Sequence, residues 1–172
     1  MCFTTYSFPE GKLLLVKTNT GLILAHYLRD PDAIVKALKP LHDRGMSLEH
    51  RDGRFALEKR LFDRYFDGKK ESFDTLPLDF SLGTPYQQRV WQAARKILYG
   101  EVAAYKDVAL KLESKGYQSV GQALNRNPLI IAVPCHRVIS ADGSIGGFGA
   151  GLELKRYLLA LEGIPIQNKG FA

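Results

Sequence analysis

The sequence is poor in cysteine and has no long hydrophobic run. Its two cysteines, Cys2 and Cys135, cannot build a disulfide framework, and no Cys-x-x-Cys or paired-histidine spacing predicts a metal cage. The longest strongly apolar stretch, residues 129–133, is far shorter than the roughly 18 residues that span a bilayer. The first residues also lack the basic segment of a secretory signal. We therefore expect a reduced protein of the cytoplasm, or of the nucleus in a eukaryote, with no membrane partner.

The composition excludes a disordered chain, and the charge is unevenly distributed. Hydrophobic residues make up 45% of the 172 residues and charged residues 24%, which is enough apolar surface for a core. Residues 1–80 carry 13 Lys or Arg and 12 Asp or Glu, whereas residues 81–172 carry 11 and 6. The basic excess in the second half favours an acidic partner such as nucleic acid, although a solvated basic face would give the same count.

The N-terminal half begins with the pattern of a hairpin followed by a helix. Two apolar runs, residues 12–17 and 22–27, flank an Asn-Thr-Gly turn, which is typical of a β-hairpin. Asp30 and Pro31 then provide an N-cap and a first helical residue. This pair predicts a short amphipathic helix, which Pro40 ends.

A second helix and a domain boundary follow. Apolar and aromatic side chains recur at helical spacing over residues 55–66, and an Asp-Gly pair supplies the stop. We interpret the aromatic stripe of this helix as core. Residues 77–85 contain two prolines and a glycine before the basic half begins, which indicates a boundary. It predicts an N-terminal α/β domain over residues 1–79 and a second domain over residues 80–172.

The second domain is predicted to be mainly helical. The Thr-Pro pair at 84–85 opens an amphipathic helix that Gly100 ends. Two short segments, 106–112 and 119–125, have the spacing of a helix-turn-helix, although many αα-corners bind nothing. A last helix over residues 152–163 completes the chain. The predicted fold class is α/β (α+β): a small sheet-plus-helix domain, then a helical, winged-helix-like domain.

The strongest local signal for chemistry is Cys135 followed by His136. A thiol becomes a good nucleophile as a thiolate, and a neighbouring His, Arg or water relay can lower its pKa. An inert buried cysteine fits an isolated Cys-His pair as well. Adjacent residues of a strand point to opposite faces, so His136 acts on Cys135 only if the chain turns or a water bridges them. Glu162 is a candidate carboxylate to hold the imidazole, or else a solvated acid at a helix end, and Lys155 is expected outside the buried face of its helix.

The C-terminal half carries a series of short motifs in a fixed order. They are Gly83-Thr84-Pro85-Tyr86-Gln87, Val90-Trp91, Gly100-Glu101-Val102, Tyr105, Val120-Gly121-Gln122-Ala123, Asn127-Pro128, Pro134-Cys135-His136-Arg137-Val138, Gly143, Gly147-Phe148, Gly151-Leu152, Lys155, Leu158-Leu159 and Glu162. In these motifs and their order the sequence resembles the O6-alkylguanine-DNA alkyltransferases, the methylated-DNA-protein-cysteine methyltransferases. The N-terminal half is similar only in size and in its predicted hairpin and helices.

The resemblance implies a DNA repair protein that moves a methyl or larger alkyl group from O6 of guanine to its own cysteine. The transfer is irreversible, needs no cofactor and occurs once per molecule. By resemblance Cys135 accepts the alkyl group, His136 takes the thiol proton through a water, and Glu162 orients His136. Asn127 steadies the loop beside the nucleophile. Tyr105 donates a hydrogen bond to guanine N3 as the base departs.

The implied partner is double-stranded DNA containing O6-alkylguanine, bound by a monomer through the minor groove with the base flipped out. The residues that the resemblance places against DNA are Gln87, Lys106, Gln118, Ser119, Gly121, Ala123 and Arg126. Those that it places around the guanine are Val138, Phe148 and Gly149. The small size of Gly121 and Ala123 permits close approach to DNA, and it would equally serve helix packing.

The sequence departs from the family at two positions. Gln118 stands where the family has an intercalating arginine, so this side chain can fill the gap left by the base but brings no charge. Lys106, Lys115 and Arg126 are nearby cations for phosphate contacts. Gly149 stands where some members have serine. Some members also bind zinc in the N-terminal domain, but this chain lacks a suitable ligand set, and we predict no metal.

Three other functions remain open at this point. A lesion-binding, alkyltransferase-like protein would bind damaged DNA without transfer, but such proteins lack the acceptor cysteine that Cys135 provides. A helix-turn-helix regulator would use Cys135 structurally and bind undamaged DNA tightly. A cysteine hydrolase would need an oxyanion hole, for which the sequence offers no signal beyond the Cys-His pair.

Overall fold

The computed structural model describes residues 1–30, 33–113 and 116–165. Pro31, predicted to open the first helix, and Lys115, a predicted phosphate contact, lie outside these residues. Within them, a sheet-and-helix unit precedes a mainly helical unit, so the predicted α+β class is confirmed. No helix in this part of the chain is both long and apolar enough to cross a membrane.

A four-stranded sheet organises the N-terminal half. Its strands are β1 (Cys2–Phe8), β2 (Gly11–Lys17), β3 (Leu22–Leu28) and β4 (Glu49–His50). The spatial order is β3-β2-β1-β4, with β4 parallel to β1 and the other pairs antiparallel. The predicted hairpin is confirmed as β2 and β3. Strand β1 was not predicted, because its buried positions include Thr4 and Tyr6, whose alternation with polar residues gives a weak hydrophobic pattern.

Two helices, α1 (Ala33–His42) and α2 (Ala56–Phe66), pack against the sheet in separate hydrophobic clusters. Leu13 of β2 packs in the cluster that includes the aromatic side chains of α2, while its neighbour Leu14 packs in the cluster that includes α1. Successive side chains of a strand point to opposite faces, so an uninterrupted apolar run is what a strand covered on both faces requires.

The ends of these helices agree with the sequence in one case and differ in the other. The stop predicted after residues 55–66 is confirmed, because α2 ends before Gly68, whose φ is +73°. The prediction that Pro40 ends α1 is wrong: the helix continues to His42. Pro40 lacks an N–H to bond within the helix, but Leu41 is 1% exposed and anchors the last turn in the core.

In its described residues, the C-terminal half contains four helices and a small parallel sheet. They are α3 (Pro85–Arg95), β5 (Ala103–Ala104), α4 (Tyr105–Lys111), α5 (Tyr117–Asn125), β6 (Val138–Ile139) and α6 (Leu152–Leu161). Strand β5 pairs with β6 in parallel. The predicted helix-turn-helix is confirmed as α4 and α5. Trp91 of α3 is buried and its indole N–H donates to the carbonyl of Ala123 at 2.8 Å, which ties α5 to α3.

Helix α3 begins as predicted and ends earlier than predicted. Thr84 and Gln87 form a reciprocal capping box, in which each side chain accepts the other's backbone N–H. The helix ends at Arg95 and not near Gly100, and the N–H of Ile97 bonds to Ala94 in a tighter turn. The Ile97 carbonyl instead accepts a hydrogen bond from Arg137. A contact from a distant segment therefore sets this boundary.

The N-terminal sheet also holds the segment that leads to Cys135. The N–H of Ala25 in β3 donates to the carbonyl of Pro128 at 2.8 Å, and the N–H of Ile130 donates back to Ala25 at 3.2 Å. The segment therefore pairs with the free edge of β3 as a short additional strand would. This pairing fixes the buried run 129–133 before the chain turns at Pro134.

Candidate active site

Cys135 lies in a tight turn at the end of this buried run. Pro134 precedes a 3-10 turn over Cys135–Arg137, after which β6 resumes an extended path. The chain therefore turns between Cys135 and His136, which is one of the two arrangements that would let His136 act on Cys135. Cys135 is 4% exposed and lies against a cavity, whereas His136 is fully buried.

The Asn127 side chain holds the thiol in place. Its Nδ2 donates to Cys135 Sγ at 3.1 Å and to the carbonyl of Val133 at 3.1 Å, and its Oδ1 accepts the N–H of Leu129 at 2.9 Å. Burial raises the pKa of Cys135 to about 11, although the hydrogen bond from Asn127 and the nearby Lys155 ammonium lower it in part. The thiol is therefore protonated at neutral pH, and its use as a nucleophile requires a base.

The carboxylate of Glu162, the residue that follows α6, accepts five hydrogen bonds from described residues. They come from His136 Nε2 (2.7 Å), the Tyr65 hydroxyl (2.7 Å), Arg137 Nε (2.8 Å), Arg137 Nη2 (3.0 Å) and the N–H of Gly100 (3.2 Å). Burial alone would raise the pKa of Glu162, but the bonds from His136 and Arg137 outweigh it and lower the pKa to about 2. Glu162 is therefore a buried group that is ionised at neutral pH.

The hydrogen bond to Glu162 fixes the tautomer of His136. Because Nε2 lies beside a carboxylate, it carries the proton, and Nδ1 is left as the basic nitrogen. Nδ1 is buried and has no hydrogen-bond partner among the described residues. Burial lowers the pKa of His136 despite the opposing effect of Glu162, so the ring is neutral at pH 7. A neutral imidazole with a free Nδ1 next to the nucleophile can take up a proton.

Lys155 is a site residue whose burial the sequence analysis missed. Its expected position outside the buried face of the last helix is wrong, because the residue is 0% exposed. Its ammonium donates to the carbonyls of Val138 at 2.7 Å and Gly147 at 3.0 Å. Burial lowers the pKa of Lys155 to about 8, while Cys135 acts to raise it. A long side chain on the border of a helix face can reach inward in this way, and helical spacing does not reveal it.

Tyr105, at the start of α4, shares the Gly147 carbonyl with Lys155. Its hydroxyl donates to this carbonyl at 3.1 Å, and its ring centre lies 6.0 Å from the Lys155 ammonium. Gly146 has a φ of +66°, and a Cβ there would lie 2.9 Å from the Tyr105 ring. Glycine at position 146 therefore lets the loop lie closer to the Tyr105 ring than a residue with a side chain would.

A cavity of about 460 Å³ opens onto Cys135 between the helix-turn-helix and the glycine-rich loop. This volume lies within the range of roughly 300–1,000 Å³ that is typical of ligand pockets. Its lining residues are Tyr105, Tyr117, Gln118, Gly121, Gln122, Leu124, Asn125, Cys135, Gly147 and Phe148. The predicted acceptor, the predicted phenol and the residue at the arginine-finger position thus border one space.

The predicted DNA-contacting residues divide between the surface and the core. Gln118 is exposed at the rim of this cavity, and Lys106 and Arg126 are exposed nearby in sequence. Ser119 is exposed, and its hydroxyl forms hydrogen bonds with the Tyr86 hydroxyl and the Gly116 carbonyl. Their contacts with DNA stay predictions.

Two further residues among the predicted DNA contacts have structural roles. Ala123 is 3% exposed and packs against α3, so its small size serves helix packing, while its part in a close approach to DNA stays a prediction. Gln87 is engaged in the capping box of α3. Gly121 lines the cavity, and a Cβ on it would lie 3.7 Å from the Tyr105 ring, in ordinary van der Waals contact.

The predicted guanine-pocket residues lie around Cys135 at different depths. Phe148 lines the cavity already described and also a second one of about 420 Å³, which reaches Cys135 from the side of β3 and α1. Gly149 lines the second cavity, and a Cβ on it would lie 2.5 Å from the backbone oxygen of Asn125. A serine at 149 would therefore require the backbone to shift. Val138 is fully buried, and its carbonyl accepts from Lys155.

Both halves of the chain match models of one protein family. Residues 1–80 match the model described as 6-O-methylguanine DNA methyltransferase, ribonuclease-like domain. Residues 85–164 match the model described as 6-O-methylguanine DNA methyltransferase, DNA binding domain. Together the two matches include every residue of the site described above.

Individual proteins from the same family are similar along almost the whole chain. A methylated-DNA-protein-cysteine methyltransferase of Haemophilus influenzae is 47% identical over 98% of this chain and 89% of its own length. The constitutive enzyme of Bacillus subtilis is 36% identical over 97% and 98%. Among solved structures, Mycobacterium tuberculosis OGT in complex with DNA has a TM-score of 0.78 at 33% identity, covering 94% of this chain and 92% of that one.

Proposed function

Because the chain belongs to the 6-O-methylguanine DNA methyltransferase family, we propose that Cys135 is the residue that accepts the alkyl group. The protein repairs DNA by moving an alkyl group from O6 of guanine to one of its own cysteines, and DNA is its partner. The position of Cys135 carries the assignment. It lies against the cavity of about 460 Å³ and accepts a hydrogen bond from Asn127, whereas Cys2 lies in β1 of the N-terminal sheet.

The proposed reaction begins with proton removal from Cys135. His136 Nδ1 takes the thiol proton, directly or through one water, and the resulting imidazolium is stabilised by Glu162. The thiolate sulfur forms a bond to the alkyl carbon while the bond from that carbon to O6 breaks. The electron pair leaves with the guanine, which recovers a proton, and a thioether remains on the protein. No group in this site is placed to hydrolyse a thioether, which fits one repair event per molecule.

Two further side chains favour the charges that develop. The Lys155 ammonium has no acidic hydrogen-bond partner in the described chain and is bound only by backbone carbonyls, so a Cys135 thiolate would be its nearest compensating charge. Tyr105 lines the cavity with its hydroxyl at the glycine-rich loop, from which it can turn to donate to N3 of a bound guanine. Val138, Phe148 and Gly149 are proposed to form the rest of the guanine pocket.

The proposal extends to the domain division, the oligomeric state and the location. Residues 80–172 contain the helix-turn-helix and Cys135, so we assign DNA binding and acceptance of the alkyl group to them and a supporting role to residues 1–79. A single copy of the chain contains every group named in the reaction, which supports a monomer. A cytoplasmic location is supported by DNA as the substrate.

The decisive test is mass spectrometry after the protein is mixed with a duplex containing one O6-methylguanine. We expect one methyl group per protein, located on the peptide that contains Cys135, and none after mixing with an undamaged duplex of the same sequence. Binding of the lesion duplex without a mass gain would replace the transfer function with lesion sensing. A methyl group on the Cys2 peptide would overturn the assignment of the acceptor.

Replacing Gln118 with arginine is expected to tighten binding to duplex DNA about five- to tenfold at low salt. The residue lies at the rim of the cavity, where a guanidinium adds one cation to the face proposed to meet DNA. The slope of log affinity against log salt should steepen by about 0.9, as expected for one more neutralised phosphate. Fluorescence anisotropy at several salt concentrations measures both quantities.

The matched control for this prediction is Gln92→Arg, which adds the same charge at an exposed position of α3 outside the cavity. It should raise affinity less than Gln118→Arg. Equal effects of the two variants would show that general charge, and not the position of residue 118, determines the gain.

A further inference from the structure

The N-terminal half contributes a side chain to the charged network beside Cys135. Tyr65 belongs to α2, is fully buried, and was expected to serve only as core. Its hydroxyl donates to Glu162 Oε1 at 2.7 Å and lies 3.3 Å from His136 Nε2. The same Glu162 oxygen accepts the Nε2–H of His136, also at 2.7 Å. Arg137 Nη2 donates to Oε1 as well, at 3.0 Å, so three donors, one of them from the N-terminal half, converge on this carboxylate oxygen.

We propose that Tyr65 is a positioning residue for alkyl transfer, which shares Glu162 Oε1 with His136 and so limits the basicity of the imidazole. A carboxylate oxygen that already accepts a hydrogen bond carries less charge for a second donor. An imidazolium is then stabilised less, and His136 stays neutral and able to accept a proton at lower pH. The inference rests on the proposed roles of His136 and Glu162.

The packing of Tyr65 keeps its hydroxyl in this position. Its ring contacts three aromatic rings at centre distances of 5.3 to 6.0 Å, those of Phe66, Phe73 and Tyr99. Phe73 is itself 1% exposed. An aromatic side chain enclosed in this way has little freedom to turn, so the hydroxyl remains within reach of Glu162.

Other charged and titratable groups near His136 and Glu162 also influence the proton affinities of these two residues. Arg137 donates twice to Glu162 from the same turn as His136, and Lys155 of α6 acts on His136 as a second cation. The buried Cys135 thiol adjoins His136, and Tyr99 donates to the Leu161 carbonyl while its ring faces Arg137. Burial raises the pKa of Tyr65 well above its usual value, and Glu162 adds to this effect. The Tyr65 hydroxyl therefore stays protonated, and remains a hydrogen-bond donor, at neutral and acidic pH.

The test is the pH profile of the single-turnover methyl transfer rate for Tyr65→Phe. Without the hydroxyl, Glu162 stabilises the imidazolium more strongly, so His136 is protonated at higher pH. We expect the acid limb of the profile to move to higher pH by on the order of half a unit. At a given pH on the acid limb the rate should fall about threefold, the ratio that half a unit gives for one proton, and the rate on the plateau should match that of the wild type.

Tyr6→Phe is the matched control. Tyr6 lies in β1 of the same half, is nearly as buried, and donates to the carboxylate of Asp63 at 2.8 Å, away from the site. Its loss removes the same kind of hydrogen bond and should leave the acid limb unchanged. If both variants lose activity in proportion to their unfolded fraction, with no shift of the limb, Tyr65 is structural and the proposal is wrong.

A second readout does not depend on transfer. An NMR titration of the His136 ring in the unreacted protein should show a higher pKa in Tyr65→Phe than in the wild type. If this variant does not fold, 3-fluorotyrosine at position 65 keeps the ring and provides a stronger donor, which should move the His136 pKa downward. An unchanged His136 pKa would overturn the role of Tyr65, whereas a wild-type protein that takes no methyl group would overturn the proposed function alone.

Discussion

Replacing Cys135 with alanine is expected to abolish methyl transfer entirely and to leave affinity for the lesion duplex within about twofold. The thiol is the sole nucleophile in the proposed reaction, and Cys135 occupies the inner end of a cavity whose rim is built by other residues. Alanine is smaller than cysteine, so the flipped base still fits. Mass spectrometry measures the transfer, and anisotropy with a duplex containing O6-methylguanine measures the binding.

Cys2→Ala is the matched control for this prediction, since it removes the other free cysteine from a partly exposed position in β1. It should transfer one methyl group at the wild-type rate. Methyl transfer by Cys135→Ala would show that another residue accepts the group. A large loss of lesion binding in the same variant would show that the thiol contributes to recognition of the base as well as to chemistry.

Glu162→Gln is expected to reduce the transfer rate about 100-fold and to lower the free energy of unfolding at pH 7 by about 3 kcal/mol. The amide keeps the shape of the side chain but removes the charge that stabilises the His136 imidazolium. It also leaves the buried Arg137 guanidinium without its anionic partner. Single-turnover kinetics and denaturant unfolding measure the two effects.

The same variant should also change the response of stability to acid. The pKa of Glu162 is lowered in the folded protein to about 2 from 4.5, so its contribution to stability is complete above pH 4.5 and is lost as the pH falls toward 2. Linkage then predicts that the stability difference between wild type and Glu162→Gln shrinks by about 2 kcal/mol between pH 5 and pH 3. Glu101→Gln, which removes an exposed carboxylate between α3 and β5, should track the wild type. A difference that stays constant with pH would contradict the buried ion pair.

The parts of the fold that were predictable have local causes. The β2–β3 hairpin follows from its turn residues, the end of α2 from Gly68, and the start of α3 from the Thr84 capping box. The boundaries that were wrong depend on distant contacts. Helix α1 continues past Pro40 because Leu41 reaches the core, and α3 ends early where Arg137 takes the Ile97 carbonyl.

The residues of the site likewise divide into those that the sequence predicts and those that it does not. Cys135 and His136 adjoin each other in sequence, and Glu162 was already a candidate carboxylate when the resemblance gave it a role, so these residues were predictable from the sequence. Lys155 was misplaced because helical spacing assigns a face and does not follow a long side chain inward. Tyr65 was missed because its aromatic neighbours explain the residue as core, and a sequence does not show where a hydroxyl group points.

The pairing between Ala25 and the segment before Cys135 has a consequence for recombining related proteins. That segment completes the edge of a sheet encoded more than a hundred residues earlier, and Tyr65 crosses the same junction. A chimaera that joins this C-terminal half to the N-terminal half of another relative must therefore preserve the backbone register at Ala25 and the phenol at position 65. The two halves match separate family models, but the contacts between them require that they be exchanged together.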